Sequence, residues 1–170
     1  MIKIPINKEI IEENGGKGLR SRVGHSYIKK LMAETGAVFG GEHSGHFYFR
    51  DFWRADSGML AALHALAALS ESQGTLSQLL NSYNRYSSSG EINSVVSDAQ
   101  SVMESIESHY VAMDGVTTDH LDGLTIESGD WWFNVRASNT EPLLRLNVEA
   151  NTDALMKKVS AQVLALIGGK

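Results

Sequence analysis

The sequence predicts two mixed domains: an α/β first half built on a partial, mostly parallel sheet, and a small α+β second half with an antiparallel sheet. Three observations carry this. Helix-like and strand-like patterns alternate between residues 8 and 40, a polar serine-rich run interrupts the patterning at residues 84–92, and residues 131–149 place two strand-like runs around a compact polar loop. With 170 residues, 42% of them hydrophobic, the chain has enough apolar material to bury a core in each half.

Taken in order, residues 8–14 form a short helical pattern that ends at Gly15-Gly16, where a left-handed cap is available. A strand is expected at about Gly18 to Val23. From His25 to Thr35 the apolar residues Tyr27, Ile28, Leu31 and Met32 recur at helical spacing and stop at Gly36; Ala37 to Gly40 then reads as a short buried strand. The order helix, strand, helix, strand is what favours the parallel sheet. Ser57 caps a helix running to Ser70, and Met59, Leu60, Leu63, Leu66 and Leu69 leave it almost no polar face, so packing on both sides is expected. A further helix is expected at Leu76 to Tyr83.

The boundaries follow from this texture. Residues 1–83 are assigned to an incomplete α/β domain, residues 84–92 to a hinge, and residues 93–170 to an α+β domain. In the last of these, a helix is expected near Ala99 to His109, strands near Gly115 to Thr118 and Gly123 to Glu127, two strands flanking the polar loop, and a closing helix from Asp153 to Ile167.

Composition narrows the function. The net charge of −5 is spread along the chain, with no basic face for nucleic acid. There are no cysteines, which excludes disulfides and thiol chemistry. The apolar segment Met59 to Leu69 is too short to span a bilayer and no leader pattern opens the chain, so a cytoplasmic protein with no membrane partner is expected.

Two loops concentrate chemistry. The first, Arg136-Ala137-Ser138-Asn139-Thr140-Glu141-Pro142, joins the two strand-like runs and combines an arginine fork, two hydroxyls, an amide and turn backbone, which suits an anion such as a phosphate ester. Taken alone, such a Ser-Asn-Thr cluster is equally at home capping its own turn. The second, Gly40-Gly41-Glu42-His43-Ser44-Gly45-His46, follows the short strand at 37–40. A carboxylate and a hydroxyl at alternating positions of an extended loop suit the vicinal hydroxyls of a sugar. His25 opens a helix, as an imidazole that could exchange protons, and Arg20 and Arg22 stand just before it.

These motifs, in this order, resemble the α-D-phosphohexomutase family, the phosphoglucomutases and phosphomannomutases. The family's sugar loop of the form Gly-Glu-Met-Ser-Gly-His is matched by Gly41 to His46 with His43 as the departure. Its phosphate loop of the form Arg-x-Ser-Asn-Thr-x-Pro is matched by Arg136 to Pro142, and its Gly-His before Ile-Lys-Lys by Gly24-His25 and Ile28-Lys29-Lys30. The resemblance implies that the chain is a carboxyl-terminal fragment covering the end of domain 3 and domain 4 of a four-domain isomerase. That enzyme moves phosphate between the 1- and 6-positions of a hexose through a hexose 1,6-bisphosphate. It implies sugar and substrate contacts by His25, Glu42, His43, Ser44, Gly45 and His46, with His25 beside the reacting centre as a proton-transfer or positioning residue. It implies a distal-phosphate clamp of Arg136, Ala137, Ser138, Asn139 and Thr140.

The family's phosphorylatable serine loop and its aspartate-rich Mg²⁺ loop have no counterpart segment in this sequence. The resemblance therefore implies Mg²⁺ bound elsewhere in the parent, no metal site in this chain, the missing amino-terminal domains as partners, and no turnover by the fragment alone. Two other readings stand beside it: a stand-alone sugar-phosphate binding module, and a metal-dependent hydrolase using His43, His46 and Glu42, whose spacing is not a helical His-Glu-x-x-His.

Overall fold

The computed structural model describes residues 5–42, 44–81, 83–138 and 140–169. The chain divides between Arg85 and Tyr86 into two compact units.

In the first unit, helices α1 (Pro5–Glu13) and α2 (His25–Thr35) precede strands β1 (Phe39–Gly41), β2 (Phe47–Phe49) and β3 (Ala55–Asp56), followed by helices α3 (Gly58–Glu71) and α4 (Leu76–Asn81). The strands form a sheet in the order β1-β2-β3. Its small core is Ile28 and Met32 of α2 against Tyr48 of β2. Gly40 lets α2 lie this close: a Cβ there would fall 2.8 Å from Ile28 Cγ2 and 3.2 Å from Met32 Sδ. Helix α2 stops at Gly36, whose N–H bonds the Met32 carbonyl in a left-handed cap.

Three expectations are corrected in this unit. The described strands pair antiparallel, not parallel. The segments between β1 and β2 and between β2 and β3 are five residues each, and links this short close hairpins, whereas a parallel pair needs a crossover of about a dozen residues or more. Residues 18–23, the expected parallel neighbour, have no strand assignment, because extended backbone becomes a strand only with a ladder partner. Finally, α3 has no buried residue, and Met59, Leu63 and Leu66 are mostly exposed. Its apolar sequence and its Ser57 cap, which accepts from Leu60 N–H at 3.2 Å, specify the helix but not a covering layer.

The second unit carries β4 (Ser87–Val95), α5 (Ala99–Val111), β5 (Thr117–Asp119), β6 (Leu124–Glu127), β7 (Trp131–Ala137), β8 (Leu143–Ala150) and α6 (Asp153–Ile167). Its antiparallel sheet runs β4-β8-β7-β6-β5, as the α+β reading expects. Asp98 and Thr152 cap the two helices by accepting from the N–H groups of Ser101 and Leu155. Met156, Val159 and Val163 lie on one face of α6 and, with Ile106 and Tyr110 of α5, bury Phe133, Val135, Leu144, Leu146 and Val148. The period of two sends Trp132, Asn134 and Arg136 of β7 to the opposite face, directly across from Glu149, Asn147 and Arg145 of β8.

The expected hinge at 84–92 is corrected from residue 87 onward, where the serine run is strand β4 paired with β8. The register shifts between Ser88 and Glu91, and at this bulge the Ser89 hydroxyl accepts the Val148 N–H at 2.9 Å. A polar side chain here completes a ladder that its composition argues against. No helix among the described residues is long and apolar enough to cross a membrane.

Candidate functional site

In the first unit the loop between β1 and β2 is closed by backbone bonds from Glu42 N–H to the His46 carbonyl at 2.8 Å and from Gly45 N–H to the Glu42 carbonyl at 3.0 Å. This folds the loop so that Glu42, Ser44 and His46 line one cavity of about 370 Å³, together with Gly24, His25 and Lys29 at the start of α2. His43 lies outside the described residues, and Gly45 supplies the turn.

Both oxygens of Glu42 are held. Oε1 accepts the Tyr48 hydroxyl, and Oε2 accepts the Gly24 N–H at 3.3 Å. Tyr48 is 1% exposed, so its ring is fixed in the core while its hydroxyl reaches the cavity. Burial, then the adjacent Glu42, pushes the Tyr48 hydroxyl above the ordinary phenol range, so it stays a donor at neutral pH. The carboxylate is thus oriented before any ligand arrives.

His46 is held from the other side. Its Nδ1 lies 2.7 Å from Asp56 Oδ2, and Asp56 Oδ1 accepts the Phe47 N–H at 2.8 Å. The bond to Asp56 and its charge, with help from Glu42, raise His46 above the ordinary imidazole value. The His46 bond, then the Phe47 N–H, with Lys29 as a further cation, holds Asp56 below the usual carboxylate range.

In the second unit Arg136 and Ala137 end β7, and Ser138 and Thr140 lie in the turn to β8; Asn139 lies outside the described residues. The turn is pinned by Ser138 N–H to the Leu143 carbonyl at 2.8 Å and by Val96 N–H to the Pro142 carbonyl at 3.1 Å. The Ser138 hydroxyl accepts from Thr140 N–H at 3.4 Å, so here it closes its own turn. The guanidinium of Arg136 faces Glu91: Nη2 is 3.6 Å from Glu91 Oε2. Arg145, the cross-strand partner of Arg136, places Nη1 3.5 Å from Glu91 Oε1 and Nη2 3.8 Å from Glu141 Oε2. The buried Nε atoms of both arginines have no partner among the described residues.

The motif reading therefore found His25, Glu42, Ser44 and His46, which the fold brings together. It did not single out Lys29, Tyr48 and Asp56 around the 42–46 loop, or Glu91 and Arg145 beside the turn that follows β7. Lys29 had a signal, since it stands four residues after His25 on one helix face. Asp56 and Glu91 had none, because each reaches its partner from another strand. Among the described residues no three His, Asp or Glu side chains gather to hold a metal ion. Trp131 stacks on Phe133 at the core, whereas Trp132 donates to Glu149 on the far face. His64 stacks on Phe49.

The chain is similar to known proteins over most of its length. The family description "Phosphoglucomutase/phosphomannomutase, alpha/beta/alpha domain III" matches residues 6–86, and "Phosphoglucomutase/phosphomannomutase, C-terminal domain" matches residues 91–166. The chain is 45% identical over 159 residues to a phosphomannomutase of Methanocaldococcus jannaschii, covering 94% of this chain and 35% of the relative. It is 40% identical over 158 residues to a protein described as phosphohexose mutases from Xanthomonas campestris pv. campestris, again covering 35% of the relative. A solved phosphoglucomutase/phosphomannomutase family protein from Burkholderia thailandensis superimposes with a TM-score of 0.78 at 29% identity, over 95% of this chain and 35% of that one. The chain thus spans about a third of the length of these relatives. Two consecutive family domains, matched in order over most of the chain, place it in the phosphoglucomutase/phosphomannomutase family.

Proposed function

We propose that this chain is the sugar-recognising and phosphate-holding part of an isomerase that interconverts hexose 1-phosphate and hexose 6-phosphate. The observation that carries this is the cavity that gathers His25, Glu42, Ser44 and His46, with Glu42 already oriented by Tyr48 and Gly24. In this reading Glu42 and Ser44 take sugar hydroxyls, and His25 and His46 supply imidazole contacts near the reacting end. The second unit's turn, through Arg136, Ala137, Ser138, Asn139 and Thr140, takes the phosphate that is not being transferred. Arg136 contributes a planar fork of donors suited to phosphate oxygens.

Transfer itself requires a phosphorylated nucleophile and a cation, which this reading assigns to the rest of a longer cytoplasmic enzyme. A Mg²⁺ ion held there would supply positive charge to the phosphoryl group in transfer. The residues of this chain bind and orient the sugar phosphate and its bisphosphate intermediate.

Titration calorimetry of the chain with mannose 6-phosphate tests this reading. Measurable binding that weakens in Arg136→Ala and Glu42→Gln, with no turnover of mannose 1-phosphate in the presence of Mg²⁺ and hexose 1,6-bisphosphate, is expected. Turnover by the chain alone, or binding indifferent to both substitutions, overturns it.

A further inference from the structure

His46 leaves the loop with one ring nitrogen committed. Nδ1 is bonded to Asp56 Oδ2 at 2.7 Å, while Nε2 has no partner among the described residues. Asp56 is itself immobilised, since its second oxygen accepts the Phe47 N–H at 2.8 Å and its position on β3 is fixed by the ladder to Tyr48. The loop's imidazole is therefore anchored from a different strand, by a carboxylate with no place in the sequence motif.

We propose that Asp56 is a positioning residue of the sugar site, which by engaging Nδ1 of His46 presents Nε2 to the cavity as a fixed contact for a hexose phosphate. The inference rests on the sugar-phosphate reading above for the identity of the ligand, but the pair itself stands on geometry. An acceptor bound to Nδ1 keeps the proton there, so Nε2 is an acceptor for a sugar hydroxyl when the ring is neutral and a donor to an anionic oxygen when it is protonated. Without Asp56 the ring could flip or change tautomer, and the same side chain would offer no fixed contact. The charged and titratable groups that face His46 are Asp56 from β3, Glu42 from its own loop, Tyr48 from β2, and His25 and Lys29 from α2. The two nearby carboxylates favour the protonated ring, and both raise His46 in the folded protein.

The experiment compares the wild-type chain with Asp56→Asn, His46→Gln and the double variant. Asparagine keeps an oxygen for the Phe47 N–H, so the hairpin is retained, and the backbone amide spectrum verifies this. Nitrogen-15 NMR of the imidazole reads tautomer and titration directly. In the wild type the neutral ring should carry its proton on Nδ1; in Asp56→Asn the titration should shift down toward the ordinary imidazole value and the Nδ1 preference should fade. Calorimetry with mannose 6-phosphate should show about tenfold weaker binding in Asp56→Asn, the loss expected for one misplaced charge-assisted bond. Because Asp56 acts through His46, that loss should vanish in the His46→Gln background.

An unchanged His46 titration and tautomer in Asp56→Asn overturns the positioning role, whatever the ligand. An equal loss in the His46→Gln background also overturns it, by showing an independent structural effect. If the NMR signatures shift as expected while the wild type binds no mannose 6-phosphate, the pair stands and the sugar-phosphate reading falls.

Discussion

The indole N–H of Trp132 donates to Glu149 Oε2 at 3.2 Å, between residues that face each other directly on β7 and β8. Both are buried, on the sheet face opposite the helices. One neutral donor does not offset the desolvation of a carboxylate, and burial pushes Glu149 up from 4.5 to about 7.

The sign of the consequence follows. A carboxyl whose folded value lies above its unfolded value binds more protons when folded, so stability is lost as pH rises from about 4.5 toward 7. Glu149→Gln keeps an acceptor for Trp132 and removes the charge. It should raise stability at pH 8 by on the order of 2 kcal/mol, with the gain shrinking toward pH 4.5. Urea melts at several pH values check this; a variant less stable than wild type at pH 8 contradicts it.

Gly123 packs against Val135 and Arg136 near the end of β7. It has φ of +70°, and a Cβ there would lie 2.4 Å from the Val135 carbonyl oxygen and 2.7 Å from Arg136 Cβ. Gly123→Ala should cost about 3 kcal/mol through backbone strain and collision with β7. Gly129→Ala, at an open position, is the control and should stay within about 0.5 kcal/mol. Thermal denaturation of the two variants gives the comparison.

Tyr48→Phe removes the donor to Glu42 Oε1 while keeping the ring that packs on Ile28 and Met32. Affinity for mannose 6-phosphate should fall about tenfold, because Glu42 loses its fixed orientation, and stability should fall by about 1–2 kcal/mol. Calorimetry and urea melts on one preparation separate the two effects, and affinity unchanged from wild type argues against the orienting bond.

Arg136→Lys should weaken mannose 6-phosphate binding about tenfold, and Arg136→Ala by more, since an ammonium cannot present the paired donors of the guanidinium fork. Both losses should narrow as salt rises. Calorimetry at two ionic strengths is sufficient, and equal affinity of the lysine variant would show that only charge is read.

Local patterns were legible wherever one element suffices to express them. The 3.6 period gave α2 at His25–Thr35 and α6 at Asp153–Ile167 with those bounds. The strand-rich runs around Arg136 gave β7 and β8, and the two polar loops pointed to the family. The serine run was misread because a hydroxyl that completes a bulged ladder looks, in sequence, like a linker.

What the sequence determined by itself was therefore the helices, the two chemical loops and the family to which they point, since helical periodicity and turn chemistry are local and survive without a partner. The tertiary structure decided which strands pair and in which direction. Through that register it set Asp56 against His46, Tyr48 against Glu42, and Glu91 between Arg136 and Arg145. Those partners come from other strands, and a cross-strand contact depends on how the ladders align, which no local pattern of residues encodes.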